Sequence, residues 1–389
     1  MRVSPVLLAL VLVVSACGDD GDTSPATSTT GSSTTSTTSA STTTAPTTTA
    51  PAESLPYVPG DDWETVDADT AGFDAAGLSA ATQLAEDRQS HCLLVLREGR
   101  IVHEWYGDGA SADDDFSVFS VTKSVSAAIV GSAVRAGHLA VDEPASTYLD
   151  EWVGTDSESV TIEQILQNIS GRLYDPVPDL FELGNQPDMT THSIGLTQER
   201  DPGTAWFYNQ SAIQTLEAIV ERATGEDTGE FAETALFDPI GMDVAYSRDD
   251  AGNLPMFAGL RAGCRDLGRF ALLTARGGAW GGTQLIGADY MAAAITGTEI
   301  NNAYGYLYWH NAEPGTWDHT NPGRDRAERF WPDLPIDAYG ANGLGEQFAT
   351  VFPTEDVIVV RIGAPAGVQG YEGVLANDLA AAVYDAIVS

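Results

Sequence analysis

The sequence predicts an α+β fold, with strands contributed by both ends of the domain and helices between them. Near the start, Cys92 to Leu96 and Ile101 to Trp105 are apolar, strand-like runs separated by Arg97-Glu98-Gly99-Arg100, the pattern of a β-hairpin. Near the end, Gln347 to Phe352 and Val357 to Ile362 flank Pro353-Thr354-Glu355-Asp356 in the same way. The residues between the hairpins read mainly as helices, and no unit repeats along the chain.

Three helices stand out. Ser124 to Val134 carries no charge at all, so this helix is expected to be buried on every side. Ala212 to Thr224 places Ile213, Leu216, Ile219 and Val220 at helical spacing and stops at Gly225, a residue suited to a helix C-terminus. A last helix is expected from about Glu372 to Val388, with Leu375, Leu379, Val383 and Ile387 on one face.

The N-terminal 55 residues differ in composition from the rest. Arg2 is followed by an apolar run from Val6 to Val14, too short to span a bilayer and of the length of a signal-peptide core. The run ends at Val14-Ser15-Ala16-Cys17, which resembles a bacterial lipobox, so residues 1–17 are expected to be a lipoprotein-type signal with Cys17 as the lipidated residue. An ordinary secretory signal is the alternative. Residues 18–55 are dominated by Ser, Thr, Pro and Ala; they bury too little to offset their ordering entropy and are expected to form a disordered tether. Either signal exports the protein. The expected location is the outer face of the cell membrane, held by the lipid anchor alone, with residues 56–389 as the folded domain. Export permits a disulfide, but the sequence leaves open whether Cys92 and Cys264 pair or stay free. No CxxC pair or His/Cys cluster points to a metal, and no cofactor is expected.

The formal net charge is −38, and residues 56–389 carry 17 basic against 52 acidic side chains. Such a field repels phosphate backbones and argues against a nucleic-acid partner. Of the 18 basic residues, 17 are arginine, and Lys123 is the single lysine. Arginine serves most structural uses of a positive charge but does not give up its proton near neutral pH. The one lysine fits a place where a neutral amine acts as a base, and chance in a lysine-poor chain is the alternative.

Ser120-Val121-Thr122-Lys123 fits the S-x-x-K pattern. Positions i and i+3 share a helical face, so the Lys123 amine is expected to reach the Ser120 hydroxyl at the start of the uncharged helix. Burial there depresses the lysine pKa and supplies a base for a serine nucleophile. The alternative is an N-cap serine followed by a lysine that snorkels to solvent. Pro202-Gly203-Thr204-Ala205-Trp206-Phe207-Tyr208-Asn209-Gln210 then leads into the second helix and places Tyr208 as a third catalytic candidate. Gly340-Ala341-Asn342-Gly343-Leu344-Gly345 precedes the C-terminal hairpin, and its glycines permit close backbone approach to a substrate. A backbone N–H of this segment, together with that of Ser120, is the expected oxyanion hole.

These residues together resemble the serine β-lactamase and penicillin-recognising superfamily, in its class C and CubicO-type branch. That branch includes esterases, D-alanyl-D-alanine peptidases and 6-aminohexanoate-dimer hydrolase. Phe119 to Ser124 matches the first motif, and Tyr208 the tyrosine of the Y-x-N motif. Ser159-Val160-Thr161-Ile162 through Asn168-Ile169-Ser170-Gly171 resembles the stretch leading to a T-S-G segment. Ala262-Gly263 with Arg265 to Phe270 is similar to an "ARDLARF" helix start, and Tyr304 to Trp309 to a "YGYLWW" strand. The resemblance spans roughly Val66 to the C-terminus. It implies a β-lactamase/transpeptidase-like sandwich, with an antiparallel sheet built from both chain ends, flanking helices and an all-helical subdomain. It also implies substrate contacts from Asn209, Gln210 and Gly343, and Leu344 as the second oxyanion donor.

Two departures narrow the expectation. The second motif ends in Gln210 instead of Asn, and the third, K-T-G or H-x-G in the family, reads Ala341-Asn342-Gly343. The cation that grips a substrate carboxylate in the family has no counterpart there. The expected activity is therefore hydrolysis of a neutral ester or amide through an acyl-enzyme, with Trp206, Trp309, Trp317 and Trp331 as candidates to line an apolar acyl pocket. The alternatives are a β-lactamase or D-alanyl-D-alanine carboxypeptidase, and a non-catalytic cell-surface binding protein on the same fold. The oligomeric state is not legible.

Overall fold

The computed structural model describes residues 55–107, 109–315, 328–364 and 375–388. The expected signal, Cys17 and all of the tether except Leu55 lie outside the described residues, as does Trp317. Both expected hairpins form. Strands β1 (Ser90–Arg97) and β2 (Arg100–Tyr106) come from the first, and β10 (Gln347–Phe352) and β11 (Val357–Gly363) from the second. With β8 (Trp309–His310) and β9 (Tyr339–Gly343) they make a six-stranded antiparallel sheet in the order β2-β1-β11-β10-β9-β8. The two hairpins meet at the centre, where Val95 pairs with Val359 and Leu94 with Val360.

Both faces of this sheet are covered, so its central strands are apolar on both sides. Leu93, Val95, Val357 and Val359 face helices α1 (Ala75–Asp87) and α10 (Leu375–Asp385). The alternate residues Cys92, Leu94, Leu96, Val360 and Ile362 face helices α2 (Val121–Ala136) and α8 (Cys264–Ala275). Cys92 and Cys264 form a disulfide across that second face, tying β1 to the first residue of α8 over 172 residues of sequence.

The helical part includes α3 (Ile162–Leu166), α4 (Met189–Gly195), α5 (Gln210–Thr224), α6 (Thr228–Ala232) and α7 (Asp238–Ile240), with α9 (Ala288–Ala294) following α8. A small sheet of β3 (Phe116–Ser117), β5 (Leu260–Ala262) and β4 (Val244–Tyr246) lies at the start of α2, and β6 (Ala279–Trp280) pairs with β7 (Thr283–Gln284). Every residue of α2 from Val121 to Ala133 is buried, Lys123 included; the uncharged run expected to be buried, Ser124 to Val134, is buried except for the half-buried Val134, and the helix ends on Gly137 in the left-handed region at φ +81°. α5 starts two residues earlier than its apolar periodicity predicts, because the Asn209 side chain caps it by accepting from the N–H of Ala212.

Candidate active site

Ser120 sits between β3 and α2. Phe119 just before it has φ +48°, a conformation that costs a bulky L-residue energy and is typical of strained functional turns. The strain is held from two sides. Thr122 Oγ1 donates to the Phe119 carbonyl and accepts from the N–H of Leu260 on β5, and Val118 N donates to the Leu260 carbonyl. Ser120 occupies the N-cap position, yet its side chain makes no capping bond, so the hydroxyl is not consumed by its own helix.

Its partner is Lys123, whose Nζ lies 3.0 Å from Ser120 Oγ. The lysine does not snorkel: it is 1% exposed, with Nζ also 3.1 Å from Gln210 Oε1 and 2.8 Å from the Phe257 carbonyl oxygen. Burial lowers its pKa to about 7, and the Asp179 carboxylate opposes that shift. Such a group is close to half neutral at neutral pH, which suits a general base.

Tyr208 closes the other side. Its ring centroid lies 4.6 Å from Lys123 Nζ, and its hydroxyl is on the Ser120 side. Burial raises the phenol pKa well above its usual value; the Ser120 side chain opposes this and the Asp179 charge adds to it. The phenol therefore keeps its proton, and the basic member of the trio is Lys123. The segment ahead of Tyr208 is threaded along residues 168–171: Gly203 N donates to the Ile169 carbonyl and Phe207 N to the Asn168 carbonyl. Gly171 has φ +70°, and a side-chain carbon there would lie 2.4 Å from the Arg200 carbonyl oxygen.

Two of the expected substrate contacts, Asn209 and Gln210, make hydrogen bonds within the fold. Asn209 is 3% exposed, caps α5, and donates from Nδ2 to the Arg172 and Leu173 carbonyls; its amide is spent on the fold. Gln210 is also buried, and its amide bridges Lys123 Nζ and the Asp179 carbonyl, so in this structure it holds the lysine.

Gly343 ends β9 against the backbone at Ser120. A side-chain carbon there would lie 2.3 Å from the Val118 carbonyl oxygen and 3.2 Å from Ser120 N, so only glycine allows this approach. Leu344 follows and is exposed. The turn that carries it is pinned by the buried Arg361, which donates to the Gly345 and Glu346 carbonyls at 2.6 and 3.0 Å, and by Gln347 Nε2, which donates to the Leu344 carbonyl at 3.3 Å.

Of the aromatic candidates, Trp309 stands beside Tyr208, with ring centroids 6.0 Å apart, and stacks on Phe330 at 4.5 Å. Trp206 and Trp331 are 2% and 4% exposed and belong to the packed interior. Sequence reasoning missed Asp179, which is buried beside this group, and the Phe257 carbonyl.

The fold and this serine-lysine-tyrosine arrangement define a class before any relative is considered, that of β-lactamase-type sandwiches. The chain matches the Beta-lactamase family over residues 79–363 and belongs to it. It is 24% identical over 232 residues to the 6-aminohexanoate-dimer hydrolase of Paenarthrobacter ureafaciens, across 55% of this chain and 59% of that protein. It is 30% identical over 148 residues to Esterase EstB of Burkholderia gladioli, across 33% of this chain and 38% of that one. Each match thus spans less than two thirds of the relative. A penicillin-binding protein homolog from Caulobacter crescentus shares the fold, with a TM-score of 0.61 and 18% identity over 81% of this chain and 99% of that structure. The α+β sandwich implied by the sequence motifs is borne out.

Proposed function

We propose that this protein is a serine hydrolase that cleaves a neutral ester or amide through an acyl-enzyme on Ser120. The observation that carries the reading is the arrangement around Lys123 Nζ. A neutral amine has two N–H donors and one lone pair. The carbonyl oxygens of Gln210 and Phe257 take the two donors, which leaves the lone pair for the proton of the Ser120 hydroxyl, whose Oγ is 3.0 Å from Nζ.

In this mechanism Ser120 Oγ attacks the substrate carbonyl carbon as its proton passes to Lys123 Nζ. The oxyanion is held by the N–H groups of Ser120 and Leu344; the close approach of Gly343 to Ser120 N supports that pairing. The proton then goes from Lys123, directly or by way of the Tyr208 hydroxyl, to the leaving oxygen or nitrogen as the carbon–heteroatom bond breaks. Water attacks the acyl-enzyme by the same proton route in reverse and frees the acid. The names of the two relatives, a dimer hydrolase and an esterase, are in keeping with this chemistry. The third motif, Ala341-Asn342-Gly343, offers no cation to a substrate carboxylate and favours a neutral substrate.

The reading includes export and anchoring through Cys17. The disulfide between Cys92 and Cys264 supports an oxidising compartment. Purified protein assayed side by side on a p-nitrophenyl ester and a chromogenic cephalosporin tests the substrate class. Ester turnover that disappears in Ser120→Ala and far exceeds cephalosporin turnover is expected. Comparable rates on the two would overturn the preference for neutral substrates, and no turnover of either would favour a non-catalytic binding protein.

A further inference from the structure

The turn at Pro178–Glu182 inverts the usual burial preference. Val177, Leu180 and Phe181 are 58%, 44% and 43% exposed, whereas Asp179 between them is 4% exposed. A buried carboxylate is costly unless it is paired or hydrogen-bonded, so something must repay the arrangement.

What surrounds Asp179 is specific. Oδ2 accepts from Gln210 N at 2.8 Å, and Oδ1 accepts from Ser211 N at 2.8 Å and from Ser211 Oγ at 2.7 Å. All three partners are donors, and the first two are the leading N–H groups of the fifteen-residue helix α5. Burial raises the carboxyl pKa above its usual value, and the three donors, the helix N-terminus and the nearby Lys123 work against that shift and favour the ionised form. The Asp179 carbonyl meanwhile accepts from Gln210 Nε2 at 2.7 Å, which fixes the amide so that its oxygen, and not its nitrogen, points at Lys123 Nζ.

We propose that Asp179 is a positioning residue for the Ser120–Lys123 pair, acting on Lys123 through the Gln210 amide and through its own negative charge. The inference rests on Lys123 being the base for Ser120. The ionisable groups facing Asp179 are Lys123 from α2 and Tyr208 from the turn ahead of α5; the phenol keeps its proton, so it adds no charge. A fixed anion beside Lys123 stabilises its ammonium form, so Asp179 sets the pH below which the base is lost. It also leaves the ammonium, formed during attack, a countercharge in an otherwise buried site.

The experiment is a pH profile of kcat/KM for a p-nitrophenyl ester, with modification of Ser120 by a fluorophosphonate measured on the same preparations. In Asp179→Asn the anion is gone, the ammonium is less stable, and the acid limb is expected to move about one pH unit lower. The rate at the optimum falls as well. Asp179→Glu, which keeps the charge, is expected to restore the limb toward the wild-type position. Should the Asn variant fail to fold, Asp179→Ser reads the same limb, since its hydroxyl still accepts from the first N–H groups of α5. A purely structural role lowers the rate at every pH and leaves the limb in place, and that outcome overturns the proposal. If wild-type Ser120 takes no probe, the nucleophile assignment fails and this role with it. If Ser120 is modified and the limb does not move, only the role of Asp179 falls.

Discussion

Gly343 packs against the Val118 carbonyl so closely that a side-chain carbon would lie 2.3 Å from its oxygen. This contact brings the end of β9 to the backbone of the turn that presents Ser120. Gly343→Ala must therefore push the two apart. A stability loss of about 1–3 kcal/mol is expected from the overpacking, with a larger loss in kcat than in substrate affinity. Thermal melts and steady-state kinetics of the variant check this.

Lys123 is held near half neutrality, so activity should follow its titration. With the lysine pKa lowered to about 7 by burial, kcat/KM is expected to fall as pH drops below 7. Lys123→Met removes the base while keeping an apolar stem in the buried site. Its rate is expected to drop by roughly 10²–10⁴-fold, and the acid limb centred near 7 should disappear from whatever activity remains.

Glu217 offers a separate pH test away from the chemistry. It is buried on α5, and burial raises its carboxyl pKa to about 7, with the charges of Glu221 and Asp227 adding to the shift and the Thr190 hydrogen bond opposing it. The folded-state pKa lies above the unfolded one, so the folded chain binds the extra proton. The stability this gives is fully present below the unfolded value and is lost as pH rises through about 7. Glu217→Gln keeps an acceptor for Thr190 without the titration. Relative to wild type it should gain stability between pH 5 and 8, by up to about 2–3 kcal/mol. Denaturant melts at the two pH values measure the difference, and a constant gap between the proteins would contradict it.

The Cys92–Cys264 bridge closes 172 residues of sequence. Its removal by Cys92→Ser with Cys264→Ser is expected to cost about 2–4 kcal/mol. Reductant should lower the melting temperature of the wild type and leave that of the double variant unchanged.

Much of this molecule is legible in its sequence because the informative signals are local. The two hairpins follow from apolar runs around short polar turns, and the burial of α2 follows from its lack of charge. The Ser120–Lys123 contact follows from helical spacing, and the single lysine marks it. What escaped the sequence is what depends on distant segments or on backbone atoms. Asp179 meets Gln210 and Ser211 across about thirty residues, by way of an irregular turn that no periodicity marks. The Phe257 carbonyl, which completes the lysine's surroundings, is main chain, and no residue type announces it. Strands β3, β4 and β5 have two or three residues each, too few for an alternating pattern. Asn209 and Gln210 were expected to face substrate on motif grounds, but the sequence does not reveal that their amides are already occupied by the fold.

The central claim is that Ser120 is a nucleophile made reactive by Lys123. Intact-mass analysis and peptide mapping of the wild type, Ser120→Ala and Lys123→Met after exposure to a fluorophosphonate test it most directly. One phosphonyl group per chain, on Ser120, is expected in the wild type, with none in Ser120→Ala and much slower addition in Lys123→Met. Addition to Ser120 at the wild-type rate in Lys123→Met, or no addition to Ser120 in well-folded wild-type protein, would contradict it.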